Sequence, residues 1–282
     1  MTISTTGASM SASGQNVPSR PPSHPDGKGE HDQRDSAPIL DDLTPLAKGA
    51  AALDIVLEDG QLVAFARLRD LLLEWNTRFN LTAITAPEEI ATRHFLDSLT
   101  CALAVPEERR AASLRVLDVG SGAGFPALPL AIAFPHWRVT SLEATGKKVR
   151  FQEAACAELG LRNVRPLAGR AEEVAHQSAQ RAHYDLVTAR AVSALPTLLE
   201  YCCPFAHAGG ICVLPKKGDL AEELAAGSRA APLLGACLLT PILVTVPPLD
   251  DGRVLLVAQQ EHTCPSQYPR PAGAPAKRPL GR

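Results

Sequence analysis

The first apolar positions with a regular spacing lie between residues 45 and 80 and follow a helical repeat. Their large apolar side chains recur at steps of three or four residues: Leu62, Phe65, Leu68, Leu72 and Trp75. Such a stripe predicts a helix with one buried face. A second helical stretch, PEEIATRHFLDSLTCALAV, opens with Pro87 and two glutamates, which suit a first helical turn. We therefore expect residues 46–112 to form an N-terminal helical cap.

From residue 113 the pattern changes to short apolar segments that alternate with helical ones. Seven segments are typical of strands: RVLDVG, WRVTSLEA, NVRPLAG, YDLVTARAV, GGICVLPK, ILVTV and RVLLVAQ. Helical segments separate the first five, and this alternation indicates an α/β fold with a doubly wound parallel sheet. Only PPLDDG separates the last two, which should therefore form an antiparallel hairpin. The predicted core is a seven-stranded, Rossmann-like sheet over residues 113–261.

The two ends of the chain differ from this core. Residues 1–45 contain six Pro, seven Ser and four Gly and almost no large apolar side chains. They cannot bury enough surface to offset their ordering entropy, so we expect a disordered N-terminal extension. Residues 262–282 carry four Lys or Arg, five prolines and no acid, which favours an extended basic tail.

The overall composition is that of an ordinary globular protein, with 45% apolar and 21% charged residues and a net charge of −2. The seven cysteines are odd in number and form no Cys-x-x-Cys, which favours buried reduced thiols in a cytoplasmic protein. No metal-ligand spacing appears, so no metal is expected. No apolar run approaches the roughly 18 residues of a membrane span, and the first residues lack the pattern of a secretory signal.

The turn after the first strand, VGSGAGFP, contains three glycines that let backbone N–H groups approach a ligand. A dinucleotide-binding turn needs Gly-x-Gly-x-x-Gly, but Phe125 stands where the third glycine would be and Pro126 follows it. No Gly-Lys-Ser/Thr follows to make a Walker loop. Asp118, two residues before Gly120, would repel a phosphate but suits a cationic amino acid group. S-adenosylmethionine carries an ammonium and a sulfonium, so it suits this turn better.

Two further acids follow later strands. Glu143, 19 residues after Gly124, can accept hydrogen bonds from both ribose hydroxyls, in NAD or in S-adenosylmethionine alike. Glu172 begins the helix after the third strand, where it can reach an adenine edge. Together with Asp118 these acids favour a class I S-adenosylmethionine-dependent methyltransferase. An NAD-dependent oxidoreductase and a binding module without turnover stay as alternatives from other classes.

Several runs, taken in order, resemble the bacterial small-subunit rRNA (guanine-N7)-methyltransferase family, RsmG or GidB: NLTAITAPEEIATRHFLDSLT, VLDVGSGAGFPALPLAI, GKKVRF, GRAEE, TARAV and LPKKG. The likeness covers about residues 60–260, and the tail resembles the family's C-terminal signature. It implies methyl transfer from S-adenosylmethionine to N7 of a guanine in 16S small-subunit ribosomal RNA. It also implies cofactor contacts by Gly120, Phe125, Ala171, Glu172 and Arg190, to which the fold logic adds Glu143. The sequence departs from the usual family pattern at Glu143, where Asp is commoner, and at Ala127, where glycine often stands.

Guanine N7 has a free lone pair and no proton, so its methylation requires no general base. The absence of an obvious catalytic dyad agrees with this, and the catalytic residues stay unassigned. Pyrimidine C5 methylation would need a cysteine nucleophile, but Cys202 and Cys203 lie in an apolar run and are expected in the core. A small-molecule or protein methyltransferase on the same fold is the remaining alternative.

Candidate RNA contacts come from two places outside the cofactor turn. Arg93 and His94 lie on a predicted helix with Asp97 one turn later, a spacing that allows mutual pairing. Lys216 follows the fifth strand, at the edge where doubly wound sheets bind ligands. Arg93 and Lys216 are therefore predicted to meet RNA phosphate, helped by the cap and the basic tail. The expected partner is 16S rRNA or the small ribosomal subunit, bound by a monomer and with no membrane involved.

Overall fold

A twisted sheet forms the centre of the fold in the computed structural model, which describes residues 42–190 and 193–281. Its eight strands are β1 (Arg115–Val119), β2 (Arg138–Glu143), β3 (Val164–Ala168), β4 (Tyr184–Thr188), β5 (Ala206–Lys217), β6 (Ala236–Leu238), β7 (Ile242–Leu243) and β8 (Arg253–Gln260). Their order is β3-β2-β1-β4-β5-β8-β6, with β7 also paired to β8. The first five strands run parallel, whereas β8 runs antiparallel to β5 and to both short strands.

The predicted sheet is confirmed, with one difference at its end. The last strand position is divided between β6 and β7, so that the described sheet has eight strands instead of seven. Pro241 lies between them and has no N–H to donate to the ladder with β8. The predicted antiparallel hairpin is present, since β7 pairs with β8 from Ile242 opposite Leu255.

Helices cover both faces of this sheet. They are α1 (Thr44–Ala52), α2 (Asp59–Phe79), α3 (Pro87–Glu89), α4 (Asp97–Leu99), α5 (Glu107–Arg110), α6 (Ala127–Ala133), α7 (Gly146–Glu158), α8 (Ala171–Val174), α9 (Leu195–Cys202), α10 (Ala221–Ala230) and α11 (Ala274–Lys277). A π-helical segment, Ile90–Leu96, joins α3 to α4, and 3₁₀ turns occupy Thr100–Ala104, Cys203–Phe205 and Ala231–Leu234. The helix expected over AEEVAHQSAQ is shorter than predicted, since α8 ends after one turn. Beyond its end, the Ala175 carbonyl accepts a hydrogen bond from the Arg181 side chain at 3.1 Å.

The predicted cap packs on one face of the sheet through its apolar stripe. Phe65, Leu68 and Leu72 of α2 are fully buried in a core that also contains Trp137 and Phe151. The Gln61 side chain fastens α2 to the end of α6, donating to the Ile132 carbonyl at 2.7 Å. Successive side chains of β1 point to opposite faces of the sheet. Val116 lies in this core, and Leu117 lies in the second core, beneath α9.

The N-terminal boundary differs slightly from the prediction. Helix α1 begins at Thr44, inside the segment expected to be disordered. Residues 1–41, which make up nearly all of that segment, lie outside the described residues. None of the described helices has the length and apolar character that crossing a membrane requires.

The tail is folded against the core, so the expectation of an extended segment is wrong. The Arg270 guanidinium donates to both carboxylate oxygens of Glu200, at 2.8 and 2.6 Å, and Glu200 is completely buried in α9. Arg181 donates to three tail carbonyls: those of Cys264, Pro265 and Tyr268. Composition did not reveal these contacts, because the acid that holds Arg270 lies 70 residues earlier in the chain.

Replacing Arg270 tests whether this ion pair holds the tail. Arg270→Ala would leave Glu200 as a buried carboxylate without its partner, which should lower the free energy of unfolding by about 3 kcal/mol. Urea unfolding followed by circular dichroism measures the change. Arg278→Ala, which removes an exposed tail cation, is the matched control, and its free energy of unfolding should fall by less than about 1 kcal/mol. Equal losses in the two variants would contradict this role of Glu200.

Candidate active site

The glycine-rich turn leaves β1 in a conformation that only small residues tolerate. Gly120, Gly122 and Gly124 have φ angles of 69°, 61° and 86°, in the left-handed region that other residues rarely adopt. A Cβ on Gly124 would also lie 2.6 Å from Leu128 Cδ1. The turn therefore depends on glycine for backbone shape, and it presents its peptide groups at the carboxyl edge of the sheet.

Glu143, at the end of β2, holds this turn to the neighbouring strand. Its Oε2 accepts the Gly122 N–H at 2.9 Å and its Oε1 accepts the Thr145 N–H at 2.7 Å. The side chain is buried, with 7% exposure. A carboxylate has about four acceptor positions, so Glu143 keeps capacity for further donors after fixing the turn.

A cavity of about 290 Å³ opens at this edge between the ends of β1, β2 and β3. Four of the six residues predicted to bind cofactor line it: Gly120, Glu143, Ala171 and Glu172. Glu172 also accepts the N–H of Gly273 in the tail at 3.0 Å and the hydroxyl of Tyr201, whose pKa is raised by burial and by this carboxylate. The folded tail therefore contributes to the surroundings of a predicted cofactor residue.

The other two predicted cofactor residues, Phe125 and Arg190, lie in a second group built around the π-helical segment. The Phe125 ring stacks on the His94 ring with 4.6 Å between centroids and 2° between planes. The Arg190 guanidinium carbon lies 5.7 Å from the Phe125 centroid. Arg190 donates to Asp97 Oδ2 at 2.6 Å, and Asp97 also pairs with Arg253 of β8. This group joins the cap, the end of β4 and the hairpin.

The tautomer of His94 follows from its neighbours. Arg190 can only donate, so His94 Nδ1, 3.2 Å from Arg190 Nη2, acts as an acceptor. The proton then lies on Nε2, which donates to the Thr82 hydroxyl oxygen at 2.8 Å. Burial first, and Arg190 second, lower the pKa of His94 to about 3. His94 is therefore a neutral ring with both nitrogens engaged.

Comparison with known proteins identifies the family to which this site belongs. The family model for rRNA small subunit methyltransferase G matches residues 61–241. The chain belongs to this family. The relative from Desulforamulus reducens is 40% identical over 244 residues, which cover 86% of this chain and all of the relative. That from Deinococcus deserti is 44% identical over 216 residues, covering 77% and 87% of the two chains.

Membership in the rRNA small subunit methyltransferase G family confirms the resemblance that the sequence motifs indicate. It also confirms the class I methyltransferase fold, and an enzyme that methylates guanine N7 of small-subunit rRNA with S-adenosylmethionine. The oxidoreductase, the binding module and the small-molecule methyltransferase are therefore wrong alternatives. In the sequence, Phe125 in the glycine turn and the terminal hairpin spoke against the oxidoreductase.

Asp118, which the sequence suggested as a contact for S-adenosylmethionine, lies outside the cavity. It is fully buried, accepts the Ala127 N–H at 3.1 Å and the Thr188 hydroxyl at 3.2 Å, and does not line the cavity. Burial raises its pKa to about 7. Asp118 lies opposite Ser141 of β2, so it is on the same face of the sheet as Glu143 but two positions earlier in the register, at the start of α6. In this member of the methyltransferase G family Asp118 supports the turn from behind.

The candidate RNA residues differ in availability. Arg93 is exposed and pairs with Glu89 at 3.3 Å. The predicted pairing of Arg93 and His94 with Asp97 is wrong, because Asp97 faces Arg190 and Arg253 instead. Lys216 is held by Glu223 at 2.6 Å and by the Ser193 carbonyl at 2.7 Å. Its contact with RNA stays a prediction, although its ammonium is already paired within the protein.

All seven cysteines are free thiols and five are buried, as the sequence predicted, whereas Cys156 and Cys237 are partly exposed. Cys202 and Cys203 are fully buried, and burial contributes to raising the pKa of each thiol well above its usual value. A protonated core thiol cannot serve as the nucleophile that C5 methylation requires. Among the described residues no cluster of His, Cys, Asp or Glu is arranged to hold a metal ion.

The neutral state of His94 predicts a specific pH dependence of stability. Between pH 6.5 and about 3 the unfolded chain protonates this histidine while the folded one does not. The contribution of His94 is therefore fully present above pH 6.5, and it is lost at up to about 1.4 kcal/mol per pH unit as the pH falls. Urea unfolding at pH 7 and pH 5 should show a smaller loss in His94→Gln than in the wild type. The exposed His262→Gln is the control, and identical losses in all three proteins would refute the assignment.

Proposed function

We propose that the cavity at the carboxyl edge holds S-adenosylmethionine and that the group around Arg190 orients the reacting end. The observation that carries this proposal is the convergence of Gly120, Glu143, Ala171 and Glu172 on one cavity from three successive strand ends. S-adenosylmethionine supplies the methyl group. Glu143 would accept the ribose hydroxyls on its remaining acceptor positions, while Ala171 and Glu172 would border the adenine.

Arg190 has donors left for a ligand after its contacts within the protein. It makes three hydrogen bonds, to the Arg93 carbonyl, Asp97 and His94, whereas a guanidinium has five N–H donors. No acceptor for the other two is found in the described part of the chain. We assign them to the carboxylate of the methionine moiety, which agrees with the role that the family resemblance implies for Arg190.

The arrangement suits a reaction that needs alignment more than proton transfer. The His94 ring cannot act as a general base while Arg190 and Thr82 occupy its two nitrogens. Guanine N7 attacks with a free lone pair, so orientation and exclusion of water can supply the rate enhancement. Phe125 and His94 offer stacked, buried rings that would keep water from the reacting end.

The RNA would reach this site along a groove between the cap and the hairpin. The groove has a volume of about 900 Å³, and its lining includes four basic residues, Lys48, Arg93, Lys217 and Arg253, and three acids, Glu88, Glu89 and Asp251. Arg93 stays the predicted phosphate contact, and Lys217 is more exposed than Lys216. We infer that a cytoplasmic monomer binds 16S rRNA or the small subunit.

Removal of the Glu143 carboxylate tests the cofactor assignment. Glu143→Ala loses two charge-assisted hydrogen bonds to the turn and the proposed ribose acceptor, so affinity for S-adenosylmethionine should fall by about 10- to 100-fold. Isothermal titration calorimetry measures this, with circular dichroism to verify folding. Glu173→Ala removes an exposed acid beside Glu172 and serves as the matched control. Wild-type affinity in Glu143→Ala would remove the residue from the site.

The reaction itself is tested in the cell. Deletion of the gene should abolish one N7-methylguanosine in 16S rRNA, detected by borohydride reduction and aniline cleavage. Incubation of the unmethylated small subunits with purified enzyme and S-adenosylmethionine should restore the cleavage. An unchanged cleavage pattern in the deletion strain would contradict the proposed function of this chain.

A further inference from the structure

A second depression lies at the opposite edge of the sheet, where β2 and β3 begin. Its volume is about 860 Å³, and Arg138, Arg162, Arg165 and His136 line it. No Asp or Glu is among the described residues that line it. All four of these side chains belong to exposed residues. The three arginines with His136 are called the arginine surface below.

The guanidinium groups of the arginine surface have no partner among the described residues. Acids at this end of the sheet are engaged elsewhere: Glu158 pairs with Arg67 at 2.6 Å, and Asp185 pairs with Arg115 at 3.4 Å. Near the candidate active site, by contrast, Arg190 and Arg253 are both paired with Asp97. The positive charge of the arginine surface is therefore not compensated from within the protein.

Strand pairing brings these charges close together. Arg138 lies opposite Arg115 on β1, and Arg165 lies opposite Thr140, two residues further along β2. Adjacent strands are about 4.8 Å apart, so Arg138 and Arg165 lie on neighbouring strands within a short distance of each other.

We propose that the arginine surface binds the phosphate backbone of the RNA substrate as a second anchor. The planar guanidinium presents paired donors to phosphate oxygens, which makes arginine suited to this contact. Strands of five or six residues place the surface about 17–20 Å from the cavity. The nucleotides bound there are therefore not the ones that hold the target guanine. This inference rests on the proposed function, and it predicts an effect on substrate affinity but not on the methyl-transfer step.

The test compares Arg138→Ala/Arg165→Ala with the wild type in methylation of unmethylated small subunits. The KM for the subunit should rise about tenfold or more, because two phosphate contacts are lost, while kcat and the S-adenosylmethionine affinity stay unchanged. The slope of log KM against log salt should become shallower by about two. Arg78→Ala/Arg150→Ala removes the same charge from two exposed positions outside the surface, and its KM should match the wild type.

The outcomes separate this inference from the proposed function. Wild-type KM and salt slope in Arg138→Ala/Arg165→Ala, with an active wild-type enzyme, would overturn the second anchor alone. An inactive wild-type enzyme would overturn the proposed function itself. Protein-free 16S rRNA is the second substrate: a raised KM for the subunit but not for this RNA would mean that the surface meets a ribosomal protein, and would overturn RNA binding. A raised KM for both substrates supports the proposal.

Discussion

The buried carboxylate of Asp97 is the interaction on which the arrangement of the site depends. It lies in α4 and pairs with Arg190 after β4 and with Arg253 in β8, residues that are 93 and 156 positions away. The three side chains are only 10–16% exposed. Removing this acid would leave two partly desolvated guanidinium groups without it as a partner, at a cost of several kcal/mol in stability. The two ion pairs therefore hold the cap, the sheet and the hairpin in one geometry. The cap that faces the proposed RNA groove is thereby fixed to the residue assigned to the cofactor.

The same network explains how a neutral histidine can be part of the site without acid–base chemistry. Arg190 imposes one tautomer on His94, the Thr82 hydroxyl oxygen accepts a hydrogen bond from the Nε2–H, and the ring stacks on Phe125. Each member restricts the next, so the aromatic pair is held before a ligand arrives. Preorganisation of this kind lowers the cost of ordering at the moment of reaction. It suits a nucleophile such as guanine N7, which brings its own lone pair.

Local patterns in the sequence predicted most of the fold because strands, helices and glycine turns depend on neighbouring residues. The stripe through Phe65 and the turn at Gly120 are of this kind. The failures concern distant partners. No residue near Asp97 in the sequence indicates that it pairs with Arg253. The composition of the proline-rich tail likewise does not reveal that Arg270 pairs with Glu200 in α9. Asp118 and Glu143 also look alike in sequence and lie on the same face of the sheet. Glu143 reaches the cavity from the end of its strand, whereas Asp118 lies two register positions earlier and is buried at the start of α6.

The folded tail connects stability to the candidate cofactor site. Glu172 accepts its hydrogen bond from Gly273, three residues after the Arg270 that pairs with buried Glu200. Release of the tail would therefore strip Glu172 of a donor and also expose α9 beside Tyr201, which lines the same cavity. Since the ion pair of Arg270 and Glu200 is mostly withdrawn from water, it resists screening by salt better than a surface pair. The geometry of the proposed adenine side should therefore be insensitive to ionic strength, while the exposed, unpaired arginines at the far edge of the sheet respond to it.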